Sequence, residues 1–124
     1  MIDKGRAEEF SASFTETEAT YLAENFLGRL ATASRRGEPH VVPVSYRFDG
    51  KAIFFGGWGL TASLKYRQLM ANRRVAFVVD DVMSTDPWRV RGIEVRGRAE
   101  PITVNDVSMV RIIPLNIRSW GLGS

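Results

Sequence analysis

Residues 29–57, RLATASRRGEPHVVPVSYRFDGKAIFFGG, decide the fold. Three apolar runs of strand length are separated by the polar turn RRGE and by the pair Asp49-Gly50. An Asp-Gly pair between apolar runs is a strong hairpin signal, because both residues tolerate the backbone that a tight turn requires. The stretch therefore predicts three consecutive strands, RLATAS, PHVVPVSYRF and KAIFFGG, that pair as an antiparallel meander.

The segments around this meander predict two helices. Thr15 and Glu18 have the spacing of a capping box, and the following residues predict a helix over 16–25 that Gly28 ends. A second helix is predicted over 61–71, directly after a glycine-rich loop. These helices are short, so most of the chain is left to strands and turns.

Three more strands are predicted after the second helix: RRVAFVVD, VRGIEVRGRAEPI and MVRIIPLNIRSW. The segment DVMSTDPW is predicted to be a loop, and TVNDVS a short turn or helix. Six strands with two short helices favour a mainly β protein, a closed or nearly closed antiparallel barrel over residues 15–124 with an arm at 1–14. Pro43 and Pro114 fall inside strand patterns and are therefore expected at an edge, a bulge or a seam.

Composition excludes several kinds of chemistry. The chain has 124 residues with 44% hydrophobic and 25% charged residues, no cysteine, a single histidine and a formal charge of +3. Thiol catalysis, disulfides and cysteine-ligated metals are thereby excluded, and His40 alone supports neither a catalytic triad nor a metal site. No apolar run approaches the roughly 20 residues of a membrane helix, and residues 1–14 lack the apolar core of a secretory leader. We expect a cytoplasmic protein that binds neither membrane nor nucleic acid.

The segment that follows the meander carries the strongest functional signal. Gly56, Gly57 and Gly59 precede a helix start that bears Thr61, Ser63 and Lys65. Such a start can bind an anion, because glycines allow close backbone approach and the helix start supplies free N–H groups and a positive dipole end. The same residues also suit an ordinary helix start with Thr61 as N-cap and Lys65 in solvent. No side chain stands out as an acid or base, so an enzyme of this sequence would need a bound cofactor.

The order of the motifs resembles a known superfamily. The motifs are GRLAT, GEPHVVPVSYRFDG, TASLKYRQLMANRRVAFVVDD, PWRVRGIEVRGRAE and VRIIPLNIRSWG. Together they resemble the FMN-binding split β-barrel superfamily, the pyridoxamine 5'-phosphate oxidase-like proteins. Within it the chain looks most like the actinobacterial flavin and deazaflavin oxidoreductases that use coenzyme F-420.

The resemblance implies a six-stranded split barrel that forms a homodimer with two cofactor sites at the interface. The cofactor ring would lie against backbone groups of Val42, Pro43 and Val44. The phosphate would lie near the next strand end and helix, against Phe55, Gly56, Gly57, Thr61, Ser63 and Lys65. The second subunit would close the site with Trp88, Arg89, Arg91 and Trp120.

Three departures from the oxidase pattern bear on the cofactor and the reaction. The chain ends at Ser124 without the oxidases' substrate-binding segment, Gly92 stands where they have glutamine, and Leu64 stands where they have arginine. The resemblance therefore implies a protein that is not a true pyridoxamine phosphate oxidase, and it favours F-420 over FMN. The polyanionic tail of F-420 suits the net charge and Arg67, Arg73 and Arg74.

The function expected from the resemblance is hydride transfer from reduced F-420 to a small unsaturated or conjugated acceptor. No catalytic side chain is assigned, and the proton would come from solvent, Tyr46 or Ser45. An FMN-dependent oxidoreductase is one alternative. The other is a non-catalytic protein that holds FMN, F-420 or a tetrapyrrole, for which His40 is the sole imidazole.

Overall fold

The computed structural model describes residues 11–123, and most of them lie in β-strands. The elements in chain order are α1 (Glu16–Ala23), β1 (Leu27–Ala33), β2 (Pro39–Ser45), β3 (Arg47–Phe48), β4 (Ile53–Phe55), a 3-10 turn (Leu60–Ala62), α2 (Leu64–Ala71), β5 (Arg74–Thr85), β6 (Trp88–Val104) and β7 (Val107–Trp120). Residues 1–10 of the predicted arm lie outside the described residues. Residues 11–14 follow no regular structure, and the Ala12 N–H donates to the Pro114 carbonyl at 2.8 Å.

All the described strands form one antiparallel sheet in the order β2-β1-β5-β6-β7-β4-β3. The two edge strands, β2 and β3, are separated along the chain by Tyr46 alone. The sheet must therefore curl until its two edges come together, and its inward-facing apolar residues form the core. Buried core residues include Leu30, Phe55, Phe77 and Ile112.

The prediction of six strands was wrong by one, because the run PHVVPVSYRF is broken. Tyr46 is buried, its hydroxyl donates to the Leu22 carbonyl at 2.7 Å, and its N–H donates to the Phe26 carbonyl at 2.9 Å. These bonds tie Tyr46 to α1, which contains Leu22, and to Phe26, the residue directly before β1. β1 and β2 pair as predicted, and β3 and β4 form the predicted hairpin, but β2 and β4 do not pair.

The predicted loop DVMSTDPW is much shorter than expected, and TVNDVS, predicted as a short turn or helix, contains a turn. The segment DVMSTDPW was predicted as a loop, but β5 continues to Thr85 and β6 begins at Trp88, so only Asp86 and Pro87 connect them. In TVNDVS the connection is Asn105-Asp106, with φ of 50° and 66°. Positive φ at two central residues is the backbone of a tight hairpin turn, which Asn and Asp tolerate.

The predicted helix boundaries need two corrections. The capping box at Thr15 and Glu18 is confirmed, but α1 ends at Ala23 and Gly28 does not end it. Gly28 lies inside β1, where a Cβ would stand 2.2 Å from the ring of Phe77. The second helix begins at Leu64 with Ser63 as its N-cap, and Thr61 lies in the preceding 3-10 turn.

Both prolines lie where the backbone tolerates them. Pro43 is on β2, an edge strand of the sheet. Pro114 pairs with Gly97 beside the register shift that follows the Arg96–Asn116 pair, which is a bulge at Leu115 on β7. An edge and a bulge are the places where a missing N–H costs a sheet little.

Candidate functional site

The glycine-rich loop after β4 has the backbone that a close ligand approach requires. Gly57 and Gly59 have φ of 120° and 72°, which side chains disfavour, and a Cβ at either position would meet no atom within 4 Å. The Leu60 N–H donates to the Gly57 carbonyl at 3.2 Å and starts the 3-10 turn. The loop thus presents open backbone directly before α2. Trp58 between the glycines is fully exposed and packs against none of the core.

The start of α2 combines a cap with a cation. The Ser63 hydroxyl accepts from the Tyr66 N–H at 3.2 Å and donates to the Leu60 carbonyl at 2.6 Å. Ser63 therefore caps the helix, and its hydroxyl hydrogen is already used. Lys65 is half-buried in the first turn, whose N–H groups at the first two positions find no partner within a helix. A backbone of this kind beside a lysine is suited to an anionic group.

The strand predicted to face the cofactor ring lies at an edge of the sheet. Within the part of the chain that the structure describes, β2 pairs only with β1. Backbone groups on its other side therefore have no ladder partner. The Tyr46 N–H donates to the Phe26 carbonyl in the register of the β1–β2 pair, so Val44 and Val42, at every second residue, turn their backbone groups toward β1. Of the three residues predicted to face the ring, only Pro43 can offer a backbone group, its carbonyl, to a ligand at the open edge. Val44 is buried, Val42 is half-buried and Pro43 is exposed.

A cleft of about 760 Å³ opens where the two edges of the sheet meet. It is bordered by Phe55, Gly56 and Gly57, which were predicted as cofactor contacts, and by Ser45 at the end of β2. None of its other lining residues was predicted as a cofactor contact, and Tyr46 was considered only as a proton source. Besides Arg47 they are mainly aromatic or apolar: Leu22, Ala23, Asn25, Phe26, Tyr46, Phe48, Phe54, Val107 and Met109. Arg47 is the one charged residue in the lining. A mostly apolar cleft with a few polar groups is the usual form of a small-molecule site.

Tyr46 is placed as a structural residue and not as a proton donor. Its hydroxyl is committed to the Leu22 carbonyl, its ring packs edge-on against Phe77 at 5.3 Å, and burial raises the pKa of Tyr46 to about 12. A hydroxyl with a raised pKa and a fixed partner is a poor acid at neutral pH. Ser45 is exposed and borders the cleft. Of the three expected proton sources, Ser45 and solvent remain.

We expect Tyr46→Phe to lower the free energy of unfolding by about 0.5–1.5 kcal/mol at pH 7, because it removes a buried hydrogen bond to the Leu22 carbonyl, which keeps a longer one from the Asn25 N–H at 3.4 Å. Since the pKa is raised from about 10 in unfolded chains to about 12 here, Tyr46 stabilises fully below pH 10 and loses that contribution between pH 10 and 12. Urea unfolding at several pH values should show a shallower alkaline loss in the variant. Tyr66→Phe is the control, because the Tyr66 hydroxyl makes no hydrogen bond to residues 11–123; an equal loss in both variants would contradict the assignment.

The remaining predicted contacts lie at the other end of the sheet. Phe55 pairs with Val110 on β7, whereas Trp120 pairs with Gly92 ten residues further along the same strand, about 30 Å away at the rise of a β-strand. Trp88 and Arg89 are exposed and lie further still in that direction, at the β5–β6 turn. One chain therefore does not bring Trp88, Arg89 and Trp120 together with the glycine loop.

Arg91 holds α1 against the sheet. Its Nε donates to Asp81 at 2.9 Å, and the Tyr21 hydroxyl donates to the same carboxylate oxygen at 2.6 Å. The hydrogen bonds from Arg91 and then Tyr21 lower the pKa of Asp81, while burial and the bond to Asp81 raise the pKa of Tyr21. Arg91, which was predicted to close the site of a second subunit, is thus engaged in an ion pair within its own chain.

Gly92 and Trp120 fit each other closely. A Cβ at position 92 would lie 2.6 Å from the Trp120 indole and 2.8 Å from the Asp80 Cβ. The indole thus occupies the space that a longer side chain at position 92 would need. Gly92, which stands where the oxidases have glutamine, therefore has no room for a side chain while Trp120 occupies its position on the neighbouring strand.

The described residues contain no group of three or more His, Cys, Asp or Glu side chains that could hold a metal ion. Asp80 forms an ion pair with Arg29, and Asp81 one with Arg91. His40 is half-buried on β2, and its Nδ1 is buried without a hydrogen-bond partner among the described residues. None of the described helices is long and apolar enough to cross a membrane.

Comparison with solved structures shows which known proteins share the fold of this curled sheet. Three solved structures share the fold. A conserved hypothetical protein from Mycobacterium tuberculosis has a TM-score of 0.73 and 23% identity over 91% of this chain and 88% of its own. An F-420 reductase has a TM-score of 0.67 and 25% identity over 85% and 98%. An FAD-binding protein from Mycobacterium smegmatis has a TM-score of 0.64 and 22% identity over 86% and 93%.

Sequence comparison narrows the class to a family. The model of the pyridoxamine 5'-phosphate oxidase family matches residues 14–112. A 5a,11a-dehydrotetracycline/5a,11a-dehydrooxytetracycline reductase from Streptomyces rimosus is 40% identical over 119 residues, which cover 88% of this chain and 84% of that protein. The chain belongs to the pyridoxamine 5'-phosphate oxidase family, and its similarity to these reductases agrees with the resemblance to the flavin and deazaflavin oxidoreductases.

Proposed function

We propose that this protein is a reductase that uses reduced coenzyme F-420 to transfer a hydride to a small conjugated acceptor. The observation that carries the proposal is an open glycine loop that borders an aromatic cleft at the seam of the sheet and leads directly into a helix start with Lys65. The 40% identical relative is named as a reductase of dehydrotetracyclines, which carry an additional double bond. An F-420 reductase shares the fold at 25% identity.

The residues present fit a phosphorylated deazaflavin. The open backbone at Gly57 and Gly59 and the helix start with Lys65 suit its phosphate. The unpaired edge of β2 around Pro43 suits the polar rim of a flat ring, with Val42 and Val44 beside it. Bound here in its reduced form, the coenzyme supplies the hydride. The chain itself binds and orients, and the open cleft at Ser45 admits the proton from solvent.

The separation of the predicted contacts within one chain supports a homodimeric site. Trp88, Arg89 and Trp120 lie at the far end of the sheet from the glycine loop, so a second copy would have to supply them. In a two-fold dimer whose subunits lie antiparallel, each end of the sheet in one subunit contacts the opposite end of the sheet in the other. Each site would then combine Lys65 of one subunit with the tryptophans of the other.

The proposal is tested by titrating the purified protein with F-420 and with FMN while following cofactor fluorescence and tryptophan quenching. We expect binding of F-420 in preference to FMN, and then anaerobic oxidation of reduced F-420 only when 5a,11a-dehydrotetracycline is added. A preference for FMN would support the alternative, an FMN-dependent oxidoreductase. Binding of F-420 without any acceptor-dependent oxidation would favour a carrier.

The shared site makes a separate prediction about mixed dimers. Lys65→Ala and Trp88→Ala should each weaken F-420 binding at both sites of their own dimers. After unfolding and refolding of an equal mixture, half of the dimers carry both defects in one site and none in the other, so about a quarter of the sites should bind tightly. A titration that finds no recovered sites would contradict a site built from two subunits.

A further inference from the structure

We infer that Arg47 recognises a negatively charged oxygen on the hydride acceptor, and that the cleft therefore selects flat conjugated molecules that carry an enolate, phenolate or carboxylate. The inference rests on the proposed function, because it identifies the occupant as the acceptor. It deepens that function by naming the chemical class and the residue that recognises it.

The first step of the argument is the charge of the cleft. Arg47 is exposed on β3, and none of residues 11–123 forms an ion pair with it. The rest of the lining contains no carboxylate. An exposed guanidinium without an ion-pair partner can bind an anion that enters the cleft, and the attraction strengthens as the bound ligand excludes water from between the two charges.

The second step is the row of residues across the strands. Arg47 pairs with Phe54 on β4, and Phe54 pairs with Arg111 on β7, so the three side chains lie on the same face of the sheet. The charge of Arg111 is offset by Glu100, which accepts from its Nη2 at 2.7 Å and from its Nε at 3.2 Å. Of the two arginines that flank Phe54, Arg47 alone is available to a ligand.

The third step is the shape and chemistry of the walls. Phe26 has an exposed fraction of 76%, which is a large apolar surface for a residue at the border of a cleft. Phe54 and Met109 line the same cleft. Aromatic faces and a methionine favour a flat conjugated body. The planar guanidinium can bind a carboxylate through two hydrogen bonds or the single oxygen of an enolate or phenolate. The 760 Å³ volume is large enough for several fused rings.

The test uses calorimetric titration of the coenzyme-free protein with an anthraquinone carboxylate and with the matching neutral carboxamide. We expect the carboxylate to bind about 10- to 100-fold more tightly, the range for a charge-assisted hydrogen bond. Arg47→Gln should remove this preference, while Arg47→Lys should retain part of it. Lys51→Gln is the matched control, because it removes one exposed positive charge from the neighbouring β3–β4 turn without touching the cleft.

Three outcomes would overturn the inference. They are a wild-type protein that does not prefer the carboxylate, an Arg47→Gln variant that retains the preference, and an Arg47→Gln variant whose F-420 affinity falls instead, which would assign Arg47 to the coenzyme. Circular dichroism confirms that each variant is folded. Since the aromatic probes are titrated without coenzyme, failure of F-420 binding or of hydride transfer would refute the proposed function while leaving this result readable.

Discussion

Replacing Gly97 with alanine is expected to lower the free energy of unfolding by about 3 kcal/mol, at the upper end of what overpacking costs. A Cβ at this buried position would stand 2.2 Å from the Ile113 carbonyl oxygen and 3.1 Å from the Ile112 Cγ2. The nearest obstacle is backbone of the neighbouring strand, so it cannot rotate away. Relief would require β6 and β7 to separate at the bulge that also accommodates Pro114. Urea unfolding followed by circular dichroism measures the loss.

Gly56→Ala provides the matched control for this prediction. Its φ is not positive, and the nearest atom to an added Cβ is the Met109 Cγ at 3.3 Å, which belongs to a flexible side chain. We expect a change of about 0.5 kcal/mol or less, because methionine adapts to small changes of volume. If both variants lost the same stability, the destabilisation would reflect a general cost of replacing glycine and not the close approach of β7.

The strands could be predicted from the sequence because their signals are local. Alternating apolar residues and the Asp49-Gly50 turn gave β1, β2 and the β3–β4 hairpin in nearly the right places. The break at Tyr46 could not be predicted in the same way. It results from bonds to the Leu22 and Phe26 carbonyls, more than twenty and about twenty residues earlier in the chain. No periodicity within PHVVPVSYRF records those partners, so the run reads as one strand.

Turn lengths were misjudged for a related reason. Asp and Pro in DVMSTDPW are typical of loops, yet cross-strand pairs such as Val82–Val90 extend β5 and β6 almost to the turn. Residue types indicate where a chain can turn, but the partner strand decides how few residues the turn contains. The same limit explains why the second helix was predicted to begin at Thr61. Thr61 and Ser63 are both residue types suited to a helix start, and the 3-10 turn that follows Gly59 leaves Ser63 as the N-cap.

The candidate site divides in the same way between local and distant signals. The glycine loop and Lys65 could be identified because glycines at a helix start have a recognisable pattern. The cleft residues Phe26, Arg47 and Phe54 could not, because the cleft forms only when the two edges of the sheet meet. A signal for Arg47 was nevertheless present. Arg47 is the only charged residue in the run VVPVSYRF that leads to the hairpin turn at Asp49-Gly50. The β3–β4 pairing places it beside Phe54.

The second large effect is expected at Lys65, where replacement with alanine should weaken F-420 binding by about 1.5–3 kcal/mol, the range for a hydrogen bond to a charged group. Lys65 is half-buried in the first turn of α2, which follows the open backbone of Gly57 and Gly59 in the chain. The helix dipole opposes a lysine at this position unless an anion lies between them. Removing the side chain should therefore leave folding intact or slightly improve it while the affinity falls.

This opposite movement of stability and affinity distinguishes an anion site from an ordinary helix start. Fluorescence titration with F-420 gives the affinity, and thermal unfolding without coenzyme gives the stability. Lys51→Ala is the control for a loss of net charge, because Lys51 is exposed in the β3–β4 turn and should leave both quantities nearly unchanged. A Lys65→Ala protein that binds F-420 as tightly as the wild type would place the phosphate elsewhere. The glycine loop would then be explained by the 3-10 turn alone.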